Sequence, residues 1–221
     1  MYTPKHFEQT DPAALHGLMR EHPLAALVTL GSDGLTADHL PLEFDATPAP
    51  GHPHGTLRGH VARANPLWQQ AAGQPVLAIF RGPHAYVSPS LYPSKAQTHK
   101  VVPTWNYTVV HAHGTLHAVA DAPWLHALVS RLTRHQEAPR TGPWAVSDAP
   151  DDYVQQMLCA IVGVEIPVQR LMGKWKLSQN RSEPDRRGVA DGLAQGDAQA
   201  LATAAAMGQA HASPSKRSGP T

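Results

Sequence analysis

Residues 80–107, F-R-G-P-H-A-Y-V-S-P-S-L-Y-P-S-K-A-Q-T-H-K-V-V-P-T-W-N-Y, gather side chains well suited to chemistry. Tyr86, Tyr92, Tyr107, Trp105, Lys95, Lys100 and several hydroxyls fall in this one segment. Pro83, Pro89, Pro93 and Pro103 interrupt it, which rules out a continuous helix and fixes the chain path. Flat apolar walls beside donors and positive charge would suit a planar ligand carrying an anionic tail. Each aromatic taken singly fits a core or interface position equally well. A second dense stretch, L-M-G-K-W-K-L-S-Q-N-R, occupies residues 171–181.

Other chemistries find less support. The chain has fifteen histidines, and His52 with His54, or His111 with His113, would share one face of an extended strand. No third ligand stands at matching spacing, so no metal site is assigned. The single cysteine, Cys159, excludes an internal disulfide; it opens an apolar run and reads as a core residue. No Ser-His-Asp order, phosphate-binding glycine loop or carboxylate pair suggests hydrolysis or phosphoryl transfer, and no catalytic residue is assigned.

Composition narrows the partners. With 18 basic and 17 acidic side chains the net charge is +1, so no global field draws the chain to nucleic acid or an anionic membrane. No basic stripe or helix-turn-helix pattern is present, which argues against direct DNA binding. No apolar run of about 18 residues is available to span a bilayer, and the opening M-Y-T-P-K-H-F-E-Q-T-D lacks a signal pattern. A cytoplasmic protein is the expectation.

The elements that must position these residues are mostly strands. Asp11-Pro12 starts a helix by an N-cap oxygen followed by proline in the first turn, with Leu15, Leu18 and Met19 on one stripe. Residues 24–30 and 35–44 flank Gly31-Ser32-Asp33-Gly34 as a hairpin. Strands follow at 56–61, 76–80 and, after a Gly82-Pro83 turn, 85–88, with one long strand at 105–119 and another at 159–167. A short helix opens at Asn65-Pro66, and longer ones at Asp121-Ala122-Pro123 and Ser182-Glu183-Pro184. Another short helix is expected at 151–158. Residues 1–195 form one domain with a C-terminal helical extension; the Ala/Gly/Ser-rich tail, 196–221, is expected to be disordered.

Six segments in order carry a family likeness: M-Y-T-P-K-H-F at 1–7, H-L-P-L at 39–42, G-H-V-A-R-A-N-P-L-W at 59–68, G-P-H-A-Y-V-S-P-S at 82–90, V-P-T-W-N-Y at 102–107 and G-K-W-K-L-S-Q-N-R at 173–181. Together they resemble the PaiB family of FMN-binding proteins described as negative transcriptional regulators. Leu91 departs from the pattern, which usually has tryptophan after Ser-Pro-Ser. The resemblance implies a mainly β, α+β fold: an FMN-binding split β-barrel of about six antiparallel strands with peripheral helices. It also implies a homodimer holding FMN at the subunit interface.

By the same resemblance, Arg63 after the third strand would meet the flavin phosphate, where a guanidinium can offer paired donors, and Asn65 would add another. Lys100, Thr104, Trp105 and Asn106 would flank the site, and Tyr86 and Ser88 would end the adjacent strand beside the flavin edge. Lys176, Gln179, Asn180 and Arg181 would come from the partner chain, with His39 a further candidate. Three functions stay open: an FMN-binding regulator acting through another component; an FMN-dependent oxidoreductase of the pyridoxamine-phosphate-oxidase or flavin-reductase kind, with His84, Tyr86 or Lys100 holding substrate; and a haem-handling protein using His111 or His113.

Overall fold

A computed structural model describes residues 1–212. Among them are nine strands: β1 (Glu8–Gln9), β2 (Leu24–Gly31), β3 (Gly34–Pro41), β4 (Glu43–Asp45), β5 (Thr56–Ala62), β6 (Pro75–Val87), β7 (Thr104–Thr115), β8 (His117–Val119) and β9 (Ile161–Lys176). The helices are α1 (Pro12–Glu21), α2 (Leu67–Gln70), α3 (Lys95–Thr98), α4 (Ala122–Glu137), α5 (Asp151–Cys159), α6 (Glu183–Leu193) and α7 (Ala198–Ala212). Three strands are two- or three-residue pieces, which leaves the six long strands the sequence implies. Hydrogen-bonded neighbours run β3-β2-β6-β7-β9-β5-β4, with β1 and β8 pairing on β9, and the path does not close.

The chain divides into two compact units, and β6, β7 and β9 contribute to both. One unit contains Leu15–Phe80 and His111–Leu171. Its core includes Leu27, Leu42, Leu57, Leu116 and Ile166, with Leu125 and Leu128 from the buried stripe of α4. Asp121 caps α4 by accepting from the Trp124 N–H at 2.7 Å. The Trp124 ring lies so close to Gly163 that a Cβ there would approach it to 2.3 Å, so this strand position admits only glycine without a shift. Arg58 sits opposite Glu165 in the β5–β9 register and donates to it at 2.8 Å and to Asp45 at 2.9 Å, tying three strands together.

The other unit contains Met1–Ala14, Arg81–Val110 and the described residues from Met172 on. Here β1 pairs with the end of β9 through Glu8 and Lys174. Val87, Tyr92, Leu177, Val189, Leu193 and Met207 form its apolar cluster. Val189 and Leu193 come from α6 and Met207 from α7, two helices that pack on each other.

The structure differs from the sequence expectation in five places. Gly82-Pro83 makes no turn: β6 runs through it, since proline's fixed φ is compatible with extended backbone and costs only one ladder donor. The strand expected at 105–119 breaks at Leu116, whose backbone instead pairs with Gly73 and Gln74 at 2.8 and 3.1 Å. β9 continues past Pro167 to Lys176; Pro167 lies opposite Thr56, the first residue of β5, where a missing donor matters little. Cys159 is exposed, because it ends α5 rather than opening the buried strand. Finally, residues 198–212 are helical as α7, with Thr203 and Met207 buried. Alanine's high helix propensity and its small side chain allow close docking even where apolar area is modest. The rest of the expected disordered tail, 213–221, lies outside the described residues.

Candidate functional site: a basic cavity

Inside the unit that carries α6 and α7, a cavity of about 100 Å³ is lined by Phe7, Tyr92, Thr104, Asn106, Lys176, Ser178, Asn180 and Arg181. Its lining comes from four separate lengths of chain: Phe7, Tyr92, residues 104–106 and residues 176–181. The 104–107 end of β7 presents Thr104 and Asn106, two residues apart and therefore on one face of the strand. The end of β9 brings Lys176, on the same face as Lys174. The turn that follows β9 supplies Ser178, Asn180 and Arg181.

That turn is held by its own side chains. Gln179 accepts from the Leu177 N–H at 2.7 Å through Oε1 and donates to the Trp175 carbonyl at 2.5 Å through Nε2, while the Arg181 N–H donates to the Ser178 carbonyl at 3.0 Å. Ser178 has φ +65°, in the left-handed region that a side-chain-bearing residue occupies at a cost of about 1–3 kcal/mol. Its hydroxyl accepts from Asn106 Nδ2 at 3.0 Å, and the same amide reaches Met207 Sδ at 3.5 Å. Asn106, Ser178 and Met207 are all buried, so the cavity floor is rigidly specified.

The site is positive. Lys176 Nζ donates to Thr104 Oγ1 and to the Trp105 carbonyl, each at 2.5 Å. Burial, with the charges of Lys174 and Arg181, holds its ammonium below the usual lysine range. Arg181 lies 5.1 Å from the centroid of the Tyr92 ring and forms no salt bridge among the described residues. Asp185 feels the charge of Arg181, but both its oxygens are taken by Ser94. The Tyr92 hydroxyl is buried and has no hydrogen-bond partner among the described residues. A buried hydroxyl without a partner costs roughly 1–3 kcal/mol. A concave site with two cations, a free hydroxyl and amide donors can hold an anionic oxygen group.

Of the residues the sequence nominates, Thr104, Asn106, Lys176, Asn180 and Arg181 meet at this cavity, all from one chain. Gln179 serves the turn rather than the cavity. Trp105 and Tyr86 are half exposed and meet edge to face at 5.9 Å, with the His84 ring stacked on Trp105 at 6.3 Å. Ser88 caps the 89–91 turn through Ser90, and Lys100 is exposed.

Arg63, Asn65 and His39 belong to the other unit. Arg63 gives Nε and Nη2 to the Cys159 and Ile161 carbonyls at 2.6 and 3.0 Å. Asn65 donates to Asp38 at 2.8 Å and caps α2 through the Leu67 N–H. His39 pairs with Ala26 in the hairpin register.

Phe7, Tyr92 and Ser178 are cavity residues the sequence does not nominate. Tyr92 stands in the aromatic segment that drew attention, but its unpaired hydroxyl is visible only in three dimensions. Leu91, where the resemblance expects tryptophan, packs under α6: a Cβ at Gly192 would come within 2.4 Å of Leu91 Cδ2. Its side chain belongs to the helix interface rather than to a cavity wall.

His111 and His113 share a face of β7 with rings 6.5 Å apart, and His113 Nε2 lies 3.2 Å from Arg170. Burial lowers the pKa of both, which keeps them neutral at pH 7. A larger cleft of about 320 Å³ lies between α4 and the loop after it. None of the buried unpartnered polar atoms among the described residues lines that cleft, so the basic cavity has the stronger claim to a ligand.

Residues 1–170 match the family described as "Putative FMN-binding domain". The chain is 33% identical to protease synthase and sporulation protein PAI 2 of Bacillus subtilis, over 87% of this chain and 89% of that one. The chain belongs to the PaiB family. An uncharacterised protein of Aspergillus fumigatus is 34% identical, over 87% of this chain and 90% of its own length. The family match takes in Tyr92, Thr104 and Asn106 and stops short of Lys176 and the turn after it.

Among solved structures, the flavocytochrome Anf3 from Azotobacter vinelandii superposes with a TM-score of 0.54 at 10% identity, covering 83% of this chain and 74% of that one. The FAD and haem binding protein from Mycobacterium smegmatis gives 0.52 at 16%, covering 84% and 80%. At such identities the likeness concerns fold alone. This PaiB-family chain thus has the mainly antiparallel, unclosed sheet with peripheral helices of the split-barrel flavin-binding proteins. Family membership supports a flavin as ligand. No helix among the described residues is long and apolar enough to cross a membrane.

Proposed function

We propose that this chain binds FMN as a homodimer in the cytoplasm and acts in negative transcriptional regulation of the PaiB type, through another component rather than by gripping duplex DNA itself. The observation that carries the flavin reading is the basic cavity with its unpartnered Tyr92 hydroxyl, in a chain of the FMN-binding family. Lys176, Arg181, Asn180 and Thr104 supply the charge and donors an anionic cofactor needs. Arg63 keeps one terminal nitrogen, Nη1, outside its bonds to carbonyls and stays in the proposed cofactor set with Asn65. Ser88 and Lys100, beside the aromatic strands, complete that set.

The half-exposed Trp105 and Tyr86, with Val102 also exposed, support a surface shared between two copies. The same aromatic face favours a second reading, FMN-dependent oxidoreduction, because it gives a planar substrate a place to stack. Bound flavin would supply hydride or electron transfer, with the protein providing orientation and charge. The near-neutral net charge supports indirect regulation.

The test is the visible absorption spectrum of the purified protein, followed by denaturation and identification of any released chromophore. A flavin spectrum with FMN released supports the reading. A colourless protein that takes up no added flavin refutes it. Sedimentation of the loaded protein tests the dimer, and NADH or NADPH reduction followed by reoxidation separates an enzyme from a binding protein.

A further inference from the structure

We infer that the cavity between β7, the end of β9 and the turn at 178–181 is the seat of a single phosphate group, and that it takes the phosphomonoester end of a flavin nucleotide while the ring system lies outside it. The second half of this inference rests on the flavin reading above; the first does not.

Size decides which end of such a ligand can enter. Pockets that enclose a whole drug-sized molecule run to about 300–1,000 Å³, whereas this one offers about 100 Å³. A tricyclic ring does not fit; a tetrahedral anion does.

The donor chemistry agrees with the size. Lys176 has two of its three protons committed, to Thr104 and Trp105, which aims the ammonium and leaves one donor. Arg181 is stacked near Tyr92 with no carboxylate partner among the described residues, so its planar fork is available to an oxyanion. Tyr92, 2% exposed and with a buried hydroxyl that lacks a partner among the described residues, lines the same space. An anion would satisfy that hydroxyl and neutralise the crowding of Lys174, Lys176 and Arg181, which adds to burial in disfavouring the charged form of Lys176. Ser178 in its left-handed conformation, with Asn106 holding its hydroxyl, brings Asn180 and Arg181 back over the cavity.

The two halves separate in one set of measurements. Apo protein is titrated with FMN and with riboflavin, which lacks the phosphate, by quenching of flavin fluorescence. The same titrations are made on Arg181→Met, Lys176→Met and Tyr92→Phe. The expectation is that FMN binds at least tenfold more tightly than riboflavin, that Arg181→Met and Lys176→Met each lower FMN affinity at least tenfold, and that riboflavin affinity is unchanged.

Tyr92→Phe carries an opposite pair of signs: it weakens FMN severalfold, yet raises the unfolding midpoint of the apo protein by removing an unsatisfied buried hydroxyl. Equal FMN and riboflavin affinities, unaltered by the three substitutions, would overturn the phosphate seat and leave the flavin reading intact. If neither flavin binds, the flavin reading fails. In that case NMR of the lysine and arginine side chains during titration with inorganic phosphate decides the seat: saturable shifts at Lys176 and Arg181 uphold it, and their absence overturns it.

Discussion

Replacing Asp185 by alanine should cost the protein about 3 kcal/mol, a figure that comes from what this carboxylate holds. Asp185 is 6% exposed and sits in the first turn of α6. It accepts from the Ser94 N–H at 3.0 Å and from the Ser94 hydroxyl at 2.8 Å, joining the segment after Tyr92 to the helix. Burial alone would raise its pKa, but the hydrogen bonds from Ser94, with smaller help from Ser182 and the charge of Arg181, together outweigh burial and hold it below the ordinary carboxylate range. Hydrogen bonds to a charged acceptor are each worth roughly 1.5–3 kcal/mol net. The carboxylate also favours the helix N-terminus by roughly 0.3–1 kcal/mol. Relief of its desolvation offsets part of that sum, which leaves about 3 kcal/mol.

Urea unfolding of the variant should therefore show a lower midpoint at unchanged slope, and the melting temperature should fall by about 6–12 °C, given roughly 2–4 °C per kcal/mol at this chain length. A double-mutant cycle with Ser94→Ala should return a coupling of about 1.5 kcal/mol or more. A loss below about 1 kcal/mol, or a coupling indistinguishable from zero, would show that this pair does not hold the loop.

Two other perturbations follow from the structure. Bonding to Arg58 is the largest of the causes that lower the Asp45 pKa from 3.8 to about 2, so its stabilisation is complete above pH 4 and is lost as pH falls from about 4 through 2. Solvent at this half-open pair limits the effect to about 1 kcal/mol, and acid titration of Asp45→Asn, followed by circular dichroism, should show that share of the slope gone. Truncation after Gly196 removes Met207 from the apolar cluster and Met207 Sδ from Asn106. Losing one buried methionine side chain alone costs about 2–5 kcal/mol, so the shortened chain should unfold earlier in urea, and equal midpoints would show that α7 contributes nothing.

The legible parts of this fold are those fixed by local rules. Asp11-Pro12, Asp121-Ala122-Pro123 and the Gly31–Gly34 hairpin announce themselves because an N-cap oxygen, a proline ring and a tight turn each act within a few residues. Gly82-Pro83 misleads for the same reason. As a dipeptide it favours a turn, yet the extended conformation is open to both residues, and a 13-residue strand wins when its neighbours supply the ladder. The Ala-rich stretch at 198–212 misleads in the opposite direction: scored for apolar area it looks unable to order, but it folds as α7 because α6 is there to receive it.

The candidate site divides along the same line. Thr104 and Asn106, and Lys174 and Lys176, alternate in a way that puts each pair on one strand face, so their chemistry could be read before any coordinates. That Lys176 and Arg181 converge on Thr104 and Asn106 within one chain is a consequence of β9 running on to Lys176 and then turning at a left-handed serine, and no spacing in the sequence reports it. Arg63 shows the converse. Its type and place recommend it as a phosphate ligand, and its guanidinium nevertheless gives two nitrogens to the carbonyls of Cys159 and Ile161, where the helix α5 ends and β9 begins. Residue type tells which side chains can bind an anion; how many of their nitrogens remain for it depends on the backbone carbonyls left unpaired at helix ends, which the fold sets and which leave Arg63 with Nη1.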